Sequence, residues 1–199
     1  MGTRGTTGFR VNGKDYISYQ QFDSYPDGVG VSVCDAVKEI MKDKDKAVIL
    51  AGKLQLVGDN KKPTAKDIEA LAEYTDLGVS NQNTDDWYCL LRKTQGDPMA
   101  ILKSGYVKDS AGFMADSLFC EFSYIINLDD DILEFYIGFQ ETDHEKGRYA
   151  QMSTKEGGKY KPVALISTYP LSEVAADPSG IVENMNSIAY PEDEDEEAA

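Results

Sequence analysis

"LFCEFSYIINLDDDILEFYIGFQ", Leu118 to Gln140, decides the fold of this chain. Two runs rich in aromatic and β-branched residues flank the polar Asp129 to Asp131. Such side chains suit a pleated, packed surface. In the first run Phe119, Glu121, Ser123 and Ile125 alternate with Cys120, Phe122, Tyr124 and Ile126. In the second, Leu133, Phe135 and Ile137 alternate with Glu134, Tyr136 and Gly138. A period of two in both arms predicts a hairpin in the middle of the core sheet.

A second hairpin is predicted at the N-terminus. "TTGFRV" and "KDYISYQQF" flank Asn12-Gly13, a pair favoured in two-residue type I′ turns. On its second arm Tyr16, Ser18 and Gln20 face one way and Ile17, Tyr19 and Gln21 the other, and neither side is cleanly apolar. "FDSYPDGVGVSV", Phe22 to Val33, then reads as a corner. Pro26 suits the second position of a turn, and Gly28 and Gly30 can adopt positive φ. Ser32 and Asp35 have the spacing of a capping box, opening a helix with Val33, Ala36, Val37, Ile40 and Met41 on one face. Thr64 and Asp67 repeat that spacing before a second helix, with Gly78 placed to end it. Val48 to Leu50 fits either a short strand or a helix. "WYCLLRKTQGDPMAILKSGYV" predicts a short helix, a break at Gly96 to Pro98, and a strand or short helix beyond it. Glu141 to Lys161, rich in glycine and charge, reads as a surface excursion. "PVALISTYPL" reads as a further strand, and Ser172 to Tyr190 as helical turns broken at Pro178 and Gly180. The expected fold is α+β: one domain over residues 1–190, a mainly antiparallel sheet with about three helices, and an acidic disordered tail over 191–199.

Composition narrows function. The chain has 199 residues, 41% hydrophobic, enough for one core. No apolar run approaches the roughly 18 residues of a membrane span, and the N-terminus lacks a signal-type segment. A cytoplasmic protein is expected. Net charge is −15, and Glu192 to Glu197 supply six of the carboxylates. The remaining acidity opposes direct nucleic-acid and membrane binding and suits a basic protein partner.

The residues that carry known chemistries are sparse. His144 is the only histidine, and Cys34, Cys89 and Cys120 are widely separated, so no zinc set forms and a catalytic triad lacks support. Asp129 to Asp131 lack the alternation of a calcium loop. No metal or cofactor is expected. Acid–base chemistry is harder to dismiss, because Asp23, Asp27 and Glu121 come from core-adjacent elements.

Two stretches resemble an uncharacterised family of small phage, bacterial and fungal proteins. The first is an MxTRG start followed by an aromatic-Asp-Gly-Tyr-Pro-x-Gly turn. It is met by Met1, Thr3, Arg4 and Gly5, then Phe22, Asp23, Tyr25, Pro26 and Gly28. Phe22 replaces the usual Trp, and Ser24 the usual Gly. The second, "CEFSYIINLDDDILEFYIG", is similar to the family's Cys-Glu-aromatic-x-Tyr-Val-Ile-Asp-Leu-Asp hairpin. Together they cover about a quarter of the chain. The resemblance implies a small intracellular α+β protein and no reaction. The expected function is that of a non-enzymatic, phage-encoded acidic binding protein. It engages a protein partner, with Phe22, Asp23, Tyr25 and Asp27 as contacts. One version mimics DNA phosphates to block a host nucleic-acid-binding protein. The alternative is a small hydrolase-like enzyme using Arg4, Asp23, Tyr25 and Glu121 near the N-terminal strand and the Asp23–Gly30 loop.

Overall fold

A computed structural model describes residues 2–154 and 158–191. The expected tail falls almost wholly outside them. The core hairpin forms β5 (Phe122–Asn127) and β6 (Ile132–Ile137), and the N-terminal one forms β1 (Gly5–Val11) and β2 (Lys14–Gln20). With β7 (Ala164–Pro170) they make a five-stranded sheet in the order β2-β1-β5-β6-β7. The β1–β5 pairing is parallel and the others antiparallel. The Leu118–Gln140 hairpin therefore supplies the central strand, as its composition predicts. Asn12 at φ 53° and Gly13 at φ 72° give the left-handed pair that a type I′ turn requires. The two hairpin tips are tied together. The N–H groups of Asn12 and Gly13 donate to the Asp129 carboxylate at 2.7 and 2.8 Å.

Seven α-helices occur among the described residues, more than the three expected. They are α1 (Val31–Ile40), α2 (Lys44–Ala51), α3 (Ala65–Ala70), α4 (Trp87–Leu90), α5 (Pro98–Ser104), α6 (Leu171–Ala176) and α7 (Pro178–Ala189). The ambiguous Val48–Leu50 run is helical, in α2. A short parallel pair, β3 (Gln55–Val57) and β4 (Tyr106–Lys108), stands apart from the main sheet. α3 starts at the predicted capping box, with Thr64 accepting from Asp67 N–H and Asp67 accepting from Thr64 N–H. It ends at Ala70, well before Gly78, because Leu71 turns into a small core with Trp87, Leu90 and Leu91. Pro178 and Gly180 do not break the last helix. Pro178 occupies its first turn, where no N–H is needed, and Asp177 caps it by accepting from Gly180 N–H at 3.0 Å.

The sheet is buried on both faces. Phe9, Phe122, Tyr124, Ile126, Leu133 and Phe135 meet α1, α6 and α7 on one side. Ile17, Ile125 and Tyr136 meet Met114, Tyr149 and Val163 on the other. Tyr149 belongs to the segment read from sequence as a surface excursion, so that reading is corrected: part of it covers the sheet. Beside Tyr149, Arg148 reaches Asp15 of β2 and the buried Glu134 of β6. Arg148 is thus held by partners outside the segment, whereas Lys159 and Lys161 pair within it, with Glu141 and Asp143.

The corner also differs from its sequence reading. Pro26–Gly30 winds as a single wide helical turn that runs straight into α1. Ser32 therefore lies inside a helix with no free N-terminus to cap, and no side chain caps α1. Gly28 and Gly30 are absent from the positive-φ residues, whereas Asp23, at φ 56°, carries the left-handed turn. Gly28 is required by close approach. A Cβ there would stand 2.2 Å from the Asp23 carbonyl oxygen and 2.8 Å from the Tyr25 ring. At Gly30 the nearest atom would be the Tyr124 hydroxyl at 3.4 Å, an ordinary contact. Gly28→Ala should thus destabilise by about 1–3 kcal/mol through overpacking, although Ala normally gains in a helix. Gly30→Ala should be neutral or stabilising by up to about 1 kcal/mol. Paired urea denaturation checks this; equal effects of the two changes would refute the steric account.

Candidate functional site

The residues singled out from sequence fall into two groups. Asp23, Tyr25, Asp27 and Glu121 form the first. Asp23 is exposed and its carboxylate accepts from the Tyr25 hydroxyl at 3.2 Å, while its carbonyl accepts from Val29 N–H at 2.8 Å. The charge of Asp23, then burial, raises the Tyr25 phenol above its usual range, and Asp27 adds to the shift. Tyr190, from the end of α7, joins this group. Burial raises its phenol first, and the charges of Asp27 and Glu121 raise it further. Its ring lies 6.2 Å from that of Phe122.

Arg4 does not complete this group. Its backbone N–H donates to Glu121 Oε1 at 3.3 Å, and its carbonyl accepts from Glu121 N–H at 2.9 Å. Its guanidinium instead lies over the Phe119 ring, 5.4 Å from the centroid, and pairs with none of Asp23, Asp27 or Glu121. None of the grooves described below is lined by Asp23, Tyr25, Asp27 or Glu121. Asp23 and Asp27 are exposed to solvent, whereas acid–base catalysis exploits groups in a concave, water-excluding setting. The cysteines offer no nucleophile either: all three are buried, and desolvation pushes the thiols of Cys34 and Cys120 up to about 12.

The second group is an aromatic surface. Phe22, just past β2, is 47% exposed, and Phe119, just before β5, is 46% exposed. Between them stands Tyr19 of β2. Its ring meets Phe113 edge-on at 5.1 Å and Tyr88 of α4 at 6.3 Å. Arg92, in the turn after α4, lies over Phe22 at 5.7 Å and is steadied by Gln95, which accepts from it at 2.7 Å. Tyr19 is raised by burial and held back by the charges of Arg4 and Arg92, so both guanidinium groups are felt at this ring. Its hydroxyl donates to Gln21 at 2.6 Å. Two open grooves flank the Tyr19–Phe113 contact. One, of about 590 Å³, is lined by Tyr19, Phe22, Tyr88 and Arg92. The other, of about 540 Å³, is lined by Phe113, Leu118 and Phe119.

The sequence reading found Phe22 and Arg4 here and missed Tyr19, Tyr88, Arg92, Phe113 and Phe119. They come from four separate stretches, and no local pattern joins them. The one local sign was the aromatic Tyr19 on a hairpin face that is not cleanly apolar. Comparison of the chain with protein-family models, with curated proteins and with solved structures yields no match. What this surface can do is read from its own residues. Exposed aromatics with arginine laid over them can grip apolar side chains and pair with anions.

Proposed function

We propose that this chain is a non-enzymatic binding protein that engages a protein partner through the Phe22–Tyr19–Phe119 surface. One observation carries the reading. In a chain of net charge −15, Arg10 and Arg148 are used in ion pairs, while Arg4 and Arg92 pair with no carboxylate among the described residues. Both stand over exposed phenylalanines instead. Tyrosine, phenylalanine and arginine are the residues enriched at protein interfaces, and Tyr and Arg recur where binding energy concentrates. The phosphate-mimic version draws less support. It needs carboxylates free to face a partner, and many here are engaged within the chain. Asp43, Asp67, Asp86, Asp97 and Asp177 cap helices, and Asp15, Asp129 and Glu134 serve the sheet.

Affinity capture from the source cell tests the proposal with two altered baits. Phe22→Ala with Phe119→Ala should lose the captured partner, with affinity lower by roughly 2 kcal/mol or more. Asp23→Asn with Glu121→Gln should retain it. The reverse result, capture surviving the first pair and failing with the second, would move the acid–phenol group and the hydrolase-like alternative to the front.

A further inference from the structure

We propose that the partner's contact segment is an extended, acidic peptide carrying large apolar side chains, its carboxylates pairing with Arg4 and Arg92. This rests on the reading of the surface as a binding face and adds the chemistry of what it binds. The first argument is charge complementarity. Arg4 and Arg92 are unpaired cations among the described residues, each with a ring against one side of its guanidinium. Arginine presents a fork of donors that matches a carboxylate. Only the Gln95 contact uses any of Arg92's side-chain donors among the described residues, and none of Arg4's is used. The second argument is shape. The grooves on either side of the Tyr19–Phe113 contact are open, and at about 590 and 540 Å³ each is roomy enough for a large side chain, so a chain crossing that ridge can place an apolar group in each. The third argument is selectivity. The chain carries a net charge of −15, so an acidic segment meets net repulsion from the whole and finds two arginines without carboxylate partners at this face. The same donors could hold phosphates. A nucleic acid, however, brings one charge per nucleotide against a chain of net −15, whereas a short peptide brings only a few.

Fluorescence anisotropy with the full chain tests this. The probe is a fluorescein-labelled peptide alternating paired glutamates with single phenylalanines. Its controls carry lysine for glutamate, alanine for phenylalanine, or are replaced by an oligothymidylate of similar length. The glutamate–phenylalanine probe should bind, and the controls should bind at least about tenfold more weakly. Arg4→Gln with Arg92→Gln should lower the affinity about tenfold or more and flatten its salt dependence. Arg92→Gln alone, which removes only a half-buried side chain's contacts with Phe22 and Gln95, keeps the test valid if the double variant folds poorly. Equal binding of the glutamate and lysine peptides would overturn the proposal. So would preference for the oligothymidylate, or a chain dimer that dissociates when Arg4 and Arg92 are replaced. If no peptide binds while partner capture still depends on Phe22 and Phe119, this proposal falls and the binding-face reading stands.

Discussion

Replacing Arg148 by alanine is expected to cost the fold about 3–5 kcal/mol, the usual penalty for leaving a buried charge without its partner. The stranded charge is Glu134, in the middle of β6, only 3% exposed. Its carboxylate is held by the Arg148 guanidinium, by Asn127 Nδ2 at 2.8 Å and by the Tyr136 hydroxyl at 2.8 Å. Arg148 also grips Asp15 with two bonds, at 3.0 and 3.1 Å, and lies over the Tyr149 ring at 4.7 Å. The arginine thus neutralises two carboxylates and fastens the segment after β6 to the sheet. Arg148→Lys should recover only part of the loss, because an ammonium cannot form the forked contact with Asp15 while reaching Glu134. Replacing both charges, Arg148→Met with Glu134→Leu, should cost clearly less than Arg148→Ala, since a well-packed apolar pair has no ion to desolvate. Asp15 would keep its contact with Arg10, at 3.2 Å. Urea denaturation of these variants measures the differences. A loss below about 1 kcal/mol for Arg148→Ala would place the pair among surface bridges and refute its buried role.

That ion cluster marks the boundary of what the sequence made legible. Both hairpins could be read, because their signals are local: alternation within each arm, and Asn12-Gly13 between two of the arms. The cap at Thr64 could be read for the same reason. Glu134 could be placed in phase with Tyr136 and opposite Leu133, but its burial depends on what covers that face, and the cover comes from Arg148 and Tyr149. Nothing in "HEKGRYAQ" distinguishes a solvated arginine from one that reaches a strand. The cap assigned to Ser32 failed for a related reason. Its spacing was correct, but the chain was already helical from Pro26, so no unsatisfied N–H groups remained there. The candidate site was legible only in Phe22 and Arg4. The other contributors are brought to them by pairing of β1 with β5 and by the placement of α4 beside β2.

Phe135→Ala should be as damaging as loss of the ion pair, at about 3–5 kcal/mol. Phe135 is fully buried in β6, with β5 on one side and β7 on the other. Its ring stacks at 5.4 Å with Tyr124 and at 6.1 Å with Phe122. Truncation removes both stacks and leaves a void that helices on that face can close only in part. Phe122→Ala should cost somewhat less, since Phe122 is 5% exposed and lies at the strand end beside Tyr190. Phe119→Ala provides the contrast three residues away. Its ring is nearly half exposed and touches Arg4, so stability should change by less than about 1 kcal/mol. The same substitution thus separates the two roles that aromatic residues play in this hairpin. At Phe135 it should lower the urea midpoint and weaken binding only through unfolding. At Phe119 it should leave the midpoint in place and weaken binding directly. Phe135→Ala within 1 kcal/mol of the parent would refute the central placement of the hairpin. A large stability loss at Phe119 would show that its ring belongs to the core, and its effect on partner capture would then carry no information about the surface.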